Sequence, residues 1–311
     1  MERNKKRKVL FLGNGILRAF SKESVSWDDL IESYTVNDKF KDLDKDLLQR
    51  TPFPLKAVLR TDDHVDELCK KISSSMRTPF ASRELSDFIK ELAFLGFDDI
   101  ITTNYGYEFE CALCGKGNLS EKEVKKLQKH TDAIDKCNEK YALHTYYECD
   151  IGNEKRVRIW HIHGEARKKS SIVIGHYYYG CLLSRYQKYF GEKKNGYAND
   201  IKNEIEIKYM SWLDLFILGD VYILGFGFDL SEFDLWWLIN RKKREIADHG
   251  KTIFYEQEGT DTIKHLLLES YGCEHRSLGY ANMTNEDYKK FYLEAIDNIK
   301  SDMTQKAPIL I

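Results

Sequence analysis

Two histidines separated by a single residue, in Trp160-His161-Ile162-His163-Gly164, are the first side chains here that could do chemistry near neutral pH, where an imidazole changes charge. On a strand both rings would share a face. His163, followed by glycine, would then face a cleft while its neighbour serves the structure. A His-x-His pair could also hold a metal, but no pair of acidic or cysteine ligands stands nearby in the sequence, and no metal is expected. Asn104 ends the strand-like run Asp99 to Thr103, in Thr102-Thr103-Asn104-Tyr105. Its short amide could hold a carboxamide or orient a water, and asparagine is equally a common turn residue.

Two glycine turns offer a different chemistry. In Gly13-Asn14-Gly15 the missing side chains let backbone amides approach a phosphate at a helix N-terminus. A plain tight turn remains open, because Arg18 stands where a dinucleotide fingerprint would place its third glycine. Leu224-Gly225-Phe226-Gly227-Phe228-Asp229 could cradle a ribose or phosphate, with Leu235, Trp236, Trp237 and Leu238 behind it as core. Arg241 to Arg244 is expected to be a solvated helix end that complements the helix dipole. Cys111-x-x-Cys114 invites a zinc reading with Cys137 and Cys149, but the second pair is too widely spaced, and buried or incidental thiols are expected.

These residues need elements to position them. Lys8 to Leu12 is an apolar run that meets the first glycine turn and then a helix-like stretch, as in a nucleotide-binding fold. Asp28 to Leu95 has helical spacing interrupted by Pro52, Pro54 and Pro79, and predicts a helical insertion or cap. Tyr107 to about Tyr141 reads as helical and solvated, including Glu121 to His130. Ala142 to Ile162 alternates around Gly152-Asn153 as a hairpin that delivers His163. Ser171 to Ile174 predicts a short strand, and the text from Tyr177, Tyr178 and Tyr179 to Lys208 a partly helical linker. Trp212 to Leu218 predicts a helix, Val221 to Leu224 a strand, Phe233 to Ile246 a helix capped by Ser231 and Asp234, and Thr252 to Tyr255 the last clear strand. Alternating strands and helices predict an α/β fold, a Rossmann-like parallel sheet with helices on both faces, whose ligands bind beyond the carboxyl ends of the strands.

With 48 Lys and Arg against 50 Asp and Glu, the net charge of -2 supplies no global field for nucleic acid or an anionic membrane. A small partner fits better. The basic start at Lys5, Lys6, Arg7 and Lys8 is followed by only four apolar residues, too few for a signal peptide or a membrane span. A cytoplasmic protein is expected, and its seven cysteines are expected to be reduced.

Taken in order, the segments resemble the sirtuin-like superfamily, especially its divergent bacterial branch of NAD-depleting effectors in defence against phage. Phe11-Leu12-Gly13-Asn14-Gly15 resembles the family's glycine motif, with Asn14 where alanine is usual. Ser26-Trp27-Asp28-Asp29-Leu30 resembles the segment that follows it in the bacterial branch. Thr102-Thr103-Asn104-Tyr105 resembles the catalytic-asparagine strand, Ile162-His163-Gly164 the catalytic His-Gly, and Leu224-Gly225-Phe226-Gly227 the late glycine turn. The likeness spans about Val9 to Tyr280. It departs at Gly106, where the family commonly has Asp, and between His163 and Gly225, where Cys181 is the only cysteine in place of two Cys-x-x-Cys elbows. The Gly-Thr-Ser text of the deacylases is also missing.

The resemblance implies one sirtuin-like domain over residues 1–311, with helical insertions at about 28–95 and 107–141. It implies an NAD hydrolase that releases nicotinamide and ADP-ribose, NAD being substrate and no cofactor being needed. Asn104 and His163 are then the catalytic pair, the asparagine holding the nicotinamide ribose or the water and the histidine acting as general base. Gly13, Asn14 and Gly15 would face the pyrophosphate and Gly225, Phe226 and Gly227 the adenosine end, with Thr103 also among the cofactor-binding residues. Tyr255 and Glu256 would reach the adenine ribose. A regulatory or sensor protein partner, or a homo-oligomer formed through the helical insertion, is expected to control the activity. Two alternatives stay open: a non-catalytic module that senses NAD or ADP-ribose, and an NAD-dependent protein deacylase.

Overall fold

The computed structural model describes residues 6–21, 24, 26–33, 50–62, 64–77, 79–132, 140–193, 196–203, 208–246, 250–259, 262–279 and 283–304. Lys5, Cys137, Tyr280 and parts of both helical insertions, 34–49 and 133–139, lie outside them.

Among the described residues, eight strands form one sheet in the order β3-β4-β5-β2-β1-β6-β7-β8. They are β1 (Lys8–Leu12), β2 (Asp99–Thr102), β3 (Gln128–His130), β4 (Thr145–Gly152), β5 (Lys155–His161), β6 (Asp220–Leu224), β7 (Thr252–Gln257) and β8 (Cys273–Leu278). The six from β5 to β8 are parallel to their neighbours, and β3 and β4 extend the sheet antiparallel. The central strands send alternate side chains to two cores, as period-two geometry requires. Leu10, Leu12, Ile100, Ile159, Tyr222, Leu224 and Ile253 enter one core. Val9, Phe11, Ile101, Trp160, Val221, Ile223 and Phe254 enter the other. Helices cover both faces, so the fold is Rossmann-like α/β.

The helices among the described residues are α1 (Asn14–Phe20), α2 (Trp27–Ser33), α3 (Phe53–Thr61), α4 (Val65–Ser75), α5 (Arg83–Phe94), α6 (Glu108–Leu113), α7 (Glu121–Leu127), α8 (His176–Gly191), α9 (Tyr197–Lys202), α10 (Trp212–Leu218), α11 (Phe233–Ile246), α12 (Thr262–Ser270) and α13 (Asn285–Thr304). Local chemistry starts several of them. Ser82 Oγ accepts from Leu85 N at 3.1 Å, and capping boxes at Ser120/Glu123 and Ser211/Asp214 open α7 and α10. Helices α2, α3 and α4 of the predicted insertion enclose a third core, in which Leu30, Ala57, Leu68 and Ile72 pack with Tyr105, Ile172 and Ile174. The insertion thus sits over the segments that leave β2 and β5.

Several expectations fail for identifiable reasons. Helix α6 is not solvated: Phe109, Glu110, Cys111 and Ala112 are buried, and residues 128–130 turn from helix to strand. Ser171 to Ile174 is not a strand. A 3-10 turn at Lys169–Ser171 leads into it, and Val173 N donates to His163 O at 2.8 Å outside any ladder. An apolar run reports burial, and here burial comes from packing on two cores without a neighbouring strand. Thr252 to Tyr255 is not the last strand, because β8 follows it as a polar edge strand, where one-sided pairing tolerates Glu274 and Arg276. The linker after Tyr177 is largely α8, with Tyr179, Leu182, Tyr186 and Phe190 buried at helical spacing. Lys242 is not solvated: its ammonium is buried and donates to the carbonyls of Phe216, Gly219 and Lys251 at 3.0, 2.6 and 3.0 Å. Ser231 does not pair with Asp234 as a cap. It donates to Asp229 Oδ1 at 2.6 Å, and Asp234 is engaged by His163.

Candidate functional site

The chain leaves β1 toward β2 on one side and later reaches β6 on the other, so β1 marks the point where strand order reverses. In sheets of this kind such a point opens a crevice at the strands' carboxyl ends. Both glycine turns lie there. Gly13 N donates to Leu224 O at 2.9 Å and Gly15 N to Gly225 O at 2.8 Å. The approach is backbone on backbone: a Cβ at Gly13 would lie 2.3 Å from Gly225 O, and one at Gly225, where φ is +67°, would lie 2.7 Å from Ile16 N. The amides of Gly13 and Gly15 are therefore satisfied inside the protein rather than turned to a ligand.

Two cavities flank this seam. The larger, of about 350 Å³, is lined by Asn14, Gly15, Arg18, Thr103, Gly225, Phe226, Gly227, Glu232, Tyr255 and Glu256, among others. The second, of about 330 Å³, is lined by Asn104, Tyr105, Gly106, Glu108, Met76 and residues of α2. Asn14, Ser26 and Trp27 belong to both walls, so the cavities are neighbours divided by the start of α2. Trp27 is fixed edge-on to Tyr105, with ring centroids 5.0 Å apart.

Asn104 is 5% exposed, and both atoms of its amide are buried without any hydrogen-bond partner. Its backbone, in contrast, is well tied: its N–H donates to Thr102 Oγ1 at 3.1 Å, and its carbonyl accepts from His161 Nδ1 at 2.7 Å. A buried polar group left unpaired costs free energy, and one that lines a cavity is placed to bind what enters. Beside it, the Glu108 carboxylate occupies the space where any residue 106 side chain would begin: a Cβ on Gly106 would lie 2.3 Å from Glu108 Oε2. Burial, reinforced by the nearby Glu110 carboxylate, pushes the Glu108 acid up to about 7.

The two histidines do not share a face, because β5 ends at His161 and the chain turns before His163. His161 bridges Asn104 O and Glu110 Oε1, the latter also at 2.7 Å. Both partners accept, so both ring nitrogens donate, as the imidazolium does. Burial opposes that charge, but Glu110 outweighs it and carries the ring up to about 9. This ring is the structural one. His163 is buried, with Nε2 2.9 Å from Asp234 Oδ2 and Nδ1 4.0 Å from Glu232 Oε2. Burial again disfavours its charge, and Asp234 reverses the effect and raises it. Tyr186 Oη also donates to Asp234 Oδ2 at 3.2 Å, and Tyr179 Oη to Glu232 Oε2 at 3.1 Å. His163 lines neither cavity, whereas Glu232 lines the larger one, its acid pushed up to about 7 by burial.

Neither a scan against models of known protein families nor a search of curated proteins finds a match to this chain.

Of the residues singled out in the sequence, Asn14, Gly15, Thr103, Gly225, Phe226, Gly227, Tyr255 and Glu256 meet in the larger cavity, and Asn104 lines the second. Gly13 sits behind the seam. Tyr255 Oη is held between Asn298 and Arg276, and Glu256 by Lys264 and His265. Sequence reading missed Glu108, Glu232 and Arg18. Glu108 lies on a helix that reads as solvated, and only the absence of a side chain at Gly106 hints at its place. Among the described residues, two groups bring three possible metal ligands within 4.8 Å of one another: His163 with Glu232 and Asp234, and Glu256 with His265 and His275. The cysteines form no such group there, although Cys114 and Cys149 share a hydrogen bond.

Proposed function

We propose that the chain is an NAD hydrolase that cleaves the bond between nicotinamide and ribose. The observation that carries this reading is the unpartnered Asn104 amide at a cavity adjoining a second, glycine-lined one across the strand-order reversal. Two neighbouring cavities suit a dinucleotide with a mononucleotide in each. The adenosine half would take the larger cavity, with Arg18 supplying positive charge to the pyrophosphate in place of the satisfied Gly13 and Gly15 amides. The nicotinamide ribose would lie against Asn104.

In the reaction, water attacks the anomeric carbon, the glycosidic electron pair passes to the pyridinium nitrogen, and the water's proton goes to a base. Asn104 orients the ribose or the water. His163 is the base expected from the resemblance, and it communicates with the larger cavity through Glu232. Glu108, in the same cavity as Asn104, is a second base of suitable acidity. The enzyme acts as a regulated cytoplasmic effector, in anti-phage defence by NAD depletion, released by a partner protein or by assembly, since unrestrained turnover would exhaust its own cell.

NAD and nicotinamide measured in cells producing the wild type, Asn104→Ala or His163→Ala, with and without phage challenge, test this reading. Depletion by the wild type alone supports it, and level NAD in all three removes it. In activated enzyme, a Glu108 base works only when deprotonated, so turnover should climb as pH rises through about 7. Glu108→Gln should lose that limb and about 10²–10⁴-fold in rate. One observation favours a second reading, a module that senses NAD or ADP-ribose without turnover: His163 is engaged by Asp234 and lines neither cavity. Binding without product under activating conditions would select it.

A further inference from the structure

We infer that Glu256, His265 and His275 form a site for a divalent transition-metal ion of the zinc type. The proposal is independent of the reaction proposed above. The three ligands come from three elements, β7, α12 and β8, and they converge because of sheet geometry. His275 pairs in register with Phe254, two residues before Glu256, so both side chains leave the same face of the sheet, toward α12. His265 Nε2 lies 2.6 Å and His275 Nε2 3.8 Å from the same atom, Glu256 Oε2, and the two imidazoles stack with centroids 3.8 Å apart.

His275 supplies the second observation. Its side chain is only 10% exposed, and Nε2 is buried, aimed into the cluster and without a hydrogen-bond partner. A buried ring nitrogen is left unpaired only at a cost. An ion between the three atoms would satisfy it: tetrahedral ligand bonds of about 2.0–2.2 Å set the donors about 3.3–3.6 Å apart, so the His265–Glu256 contact, at 2.6 Å, would open by about 0.7–1.0 Å. Two imidazole nitrogens and one carboxylate oxygen suit Zn²⁺, Co²⁺ or Ni²⁺ and do not suit Mg²⁺ or Ca²⁺, which prefer all-oxygen shells.

Lys264 sets the terms of the site. Its ammonium pairs with the other carboxylate oxygen, Glu256 Oε1, and donates to Gly227 O at 3.1 Å. It leaves Oε2 to the ion but opposes the ion's charge, so the site is tuned toward weaker binding than its ligands alone would give. Glu256 also lines the larger cavity. Three protein ligands leave a fourth position, there for water or for an oxygen atom of a molecule in that cavity.

The test is titration of the chelator-treated full chain with Co²⁺ and Zn²⁺, followed by absorption spectroscopy and calorimetry. The expected result is one ion per chain, with a ligand-field spectrum lacking thiolate charge transfer, which excludes the cysteines. His265→Ala and His275→Ala should each weaken binding at least about tenfold. Lys264→Met should tighten it, a gain that misfolding cannot mimic. No uptake by the wild type, a thiolate spectrum, or uptake unchanged in both histidine variants would overturn the assignment.

Discussion

At the scale of single residues, the molecule tolerates polar groups where packing alone would not put them. Asn104 keeps a whole amide buried without partners while its own backbone is tied at both ends. Replacing both unmet groups by apolar surface of similar size should help the fold. Asn104→Leu is expected to raise unfolding free energy by about 1–3 kcal/mol in denaturant titration and to abolish NAD turnover. A loss of stability instead would mean that the amide is satisfied within the protein. Asn104 was legible in the sequence because a β-branched run ending in asparagine is a local pattern. The separate fates of His161 and His163 were not, because they depend on Glu110 and Asp234, residues distant in the sequence from both rings. Glu108 and the Glu256 cluster were hidden for the same reason: each is assembled by tertiary contact.

Elements were read best where a periodic pattern met a clear boundary. The hairpin around Gly152 turns through positive φ at Gly152, Asn153 and Glu154, and α11 begins and ends where its pattern does. They were read worst where burial and polarity disagree. The edge strand β8 is polar because only one neighbour pairs with it, and α6 looks charged although its Glu110 is buried against His161. The same disagreement hides Lys242 in a basic run of α11. Its three ammonium hydrogens match three carbonyls from the end of α10 and from the segments bordering β6 and β7, so it ties α11 to the sheet. Lys242→Met keeps the stem and removes the donors, and is expected to cost about 1–3 kcal/mol in chemical denaturation. A change within about 0.5 kcal/mol would show that water replaces the ammonium.

Across the whole molecule, the strand-order reversal at β1 gathers the glycine turns, Asn104 and the helical insertion at one end of the sheet, and that location was legible from the alternation of strands and helices. A ligand filling the larger cavity holds both turns at once. ADP-ribose at about 100 times its Kd should therefore raise stability by about 2.7 kcal/mol in thermal or chemical unfolding. Gly225→Ala should lose that gain, since the new Cβ would drive the turns apart. An equal gain in both would move the ligand elsewhere. The seam between Gly13 and Gly225 also has a consequence for the order of events at the ribosome. One lip of the cleft is made at Gly13 to Gly15, and the other waits until β6 and its turn, about two hundred residues later, have emerged. Because strands synthesised so far apart pair late, an unfinished or prematurely terminated product carries Asn104 and His163 but no closed cleft. If the chain hydrolyses NAD as proposed, the cell that makes it is spared that activity for as long as translation is incomplete.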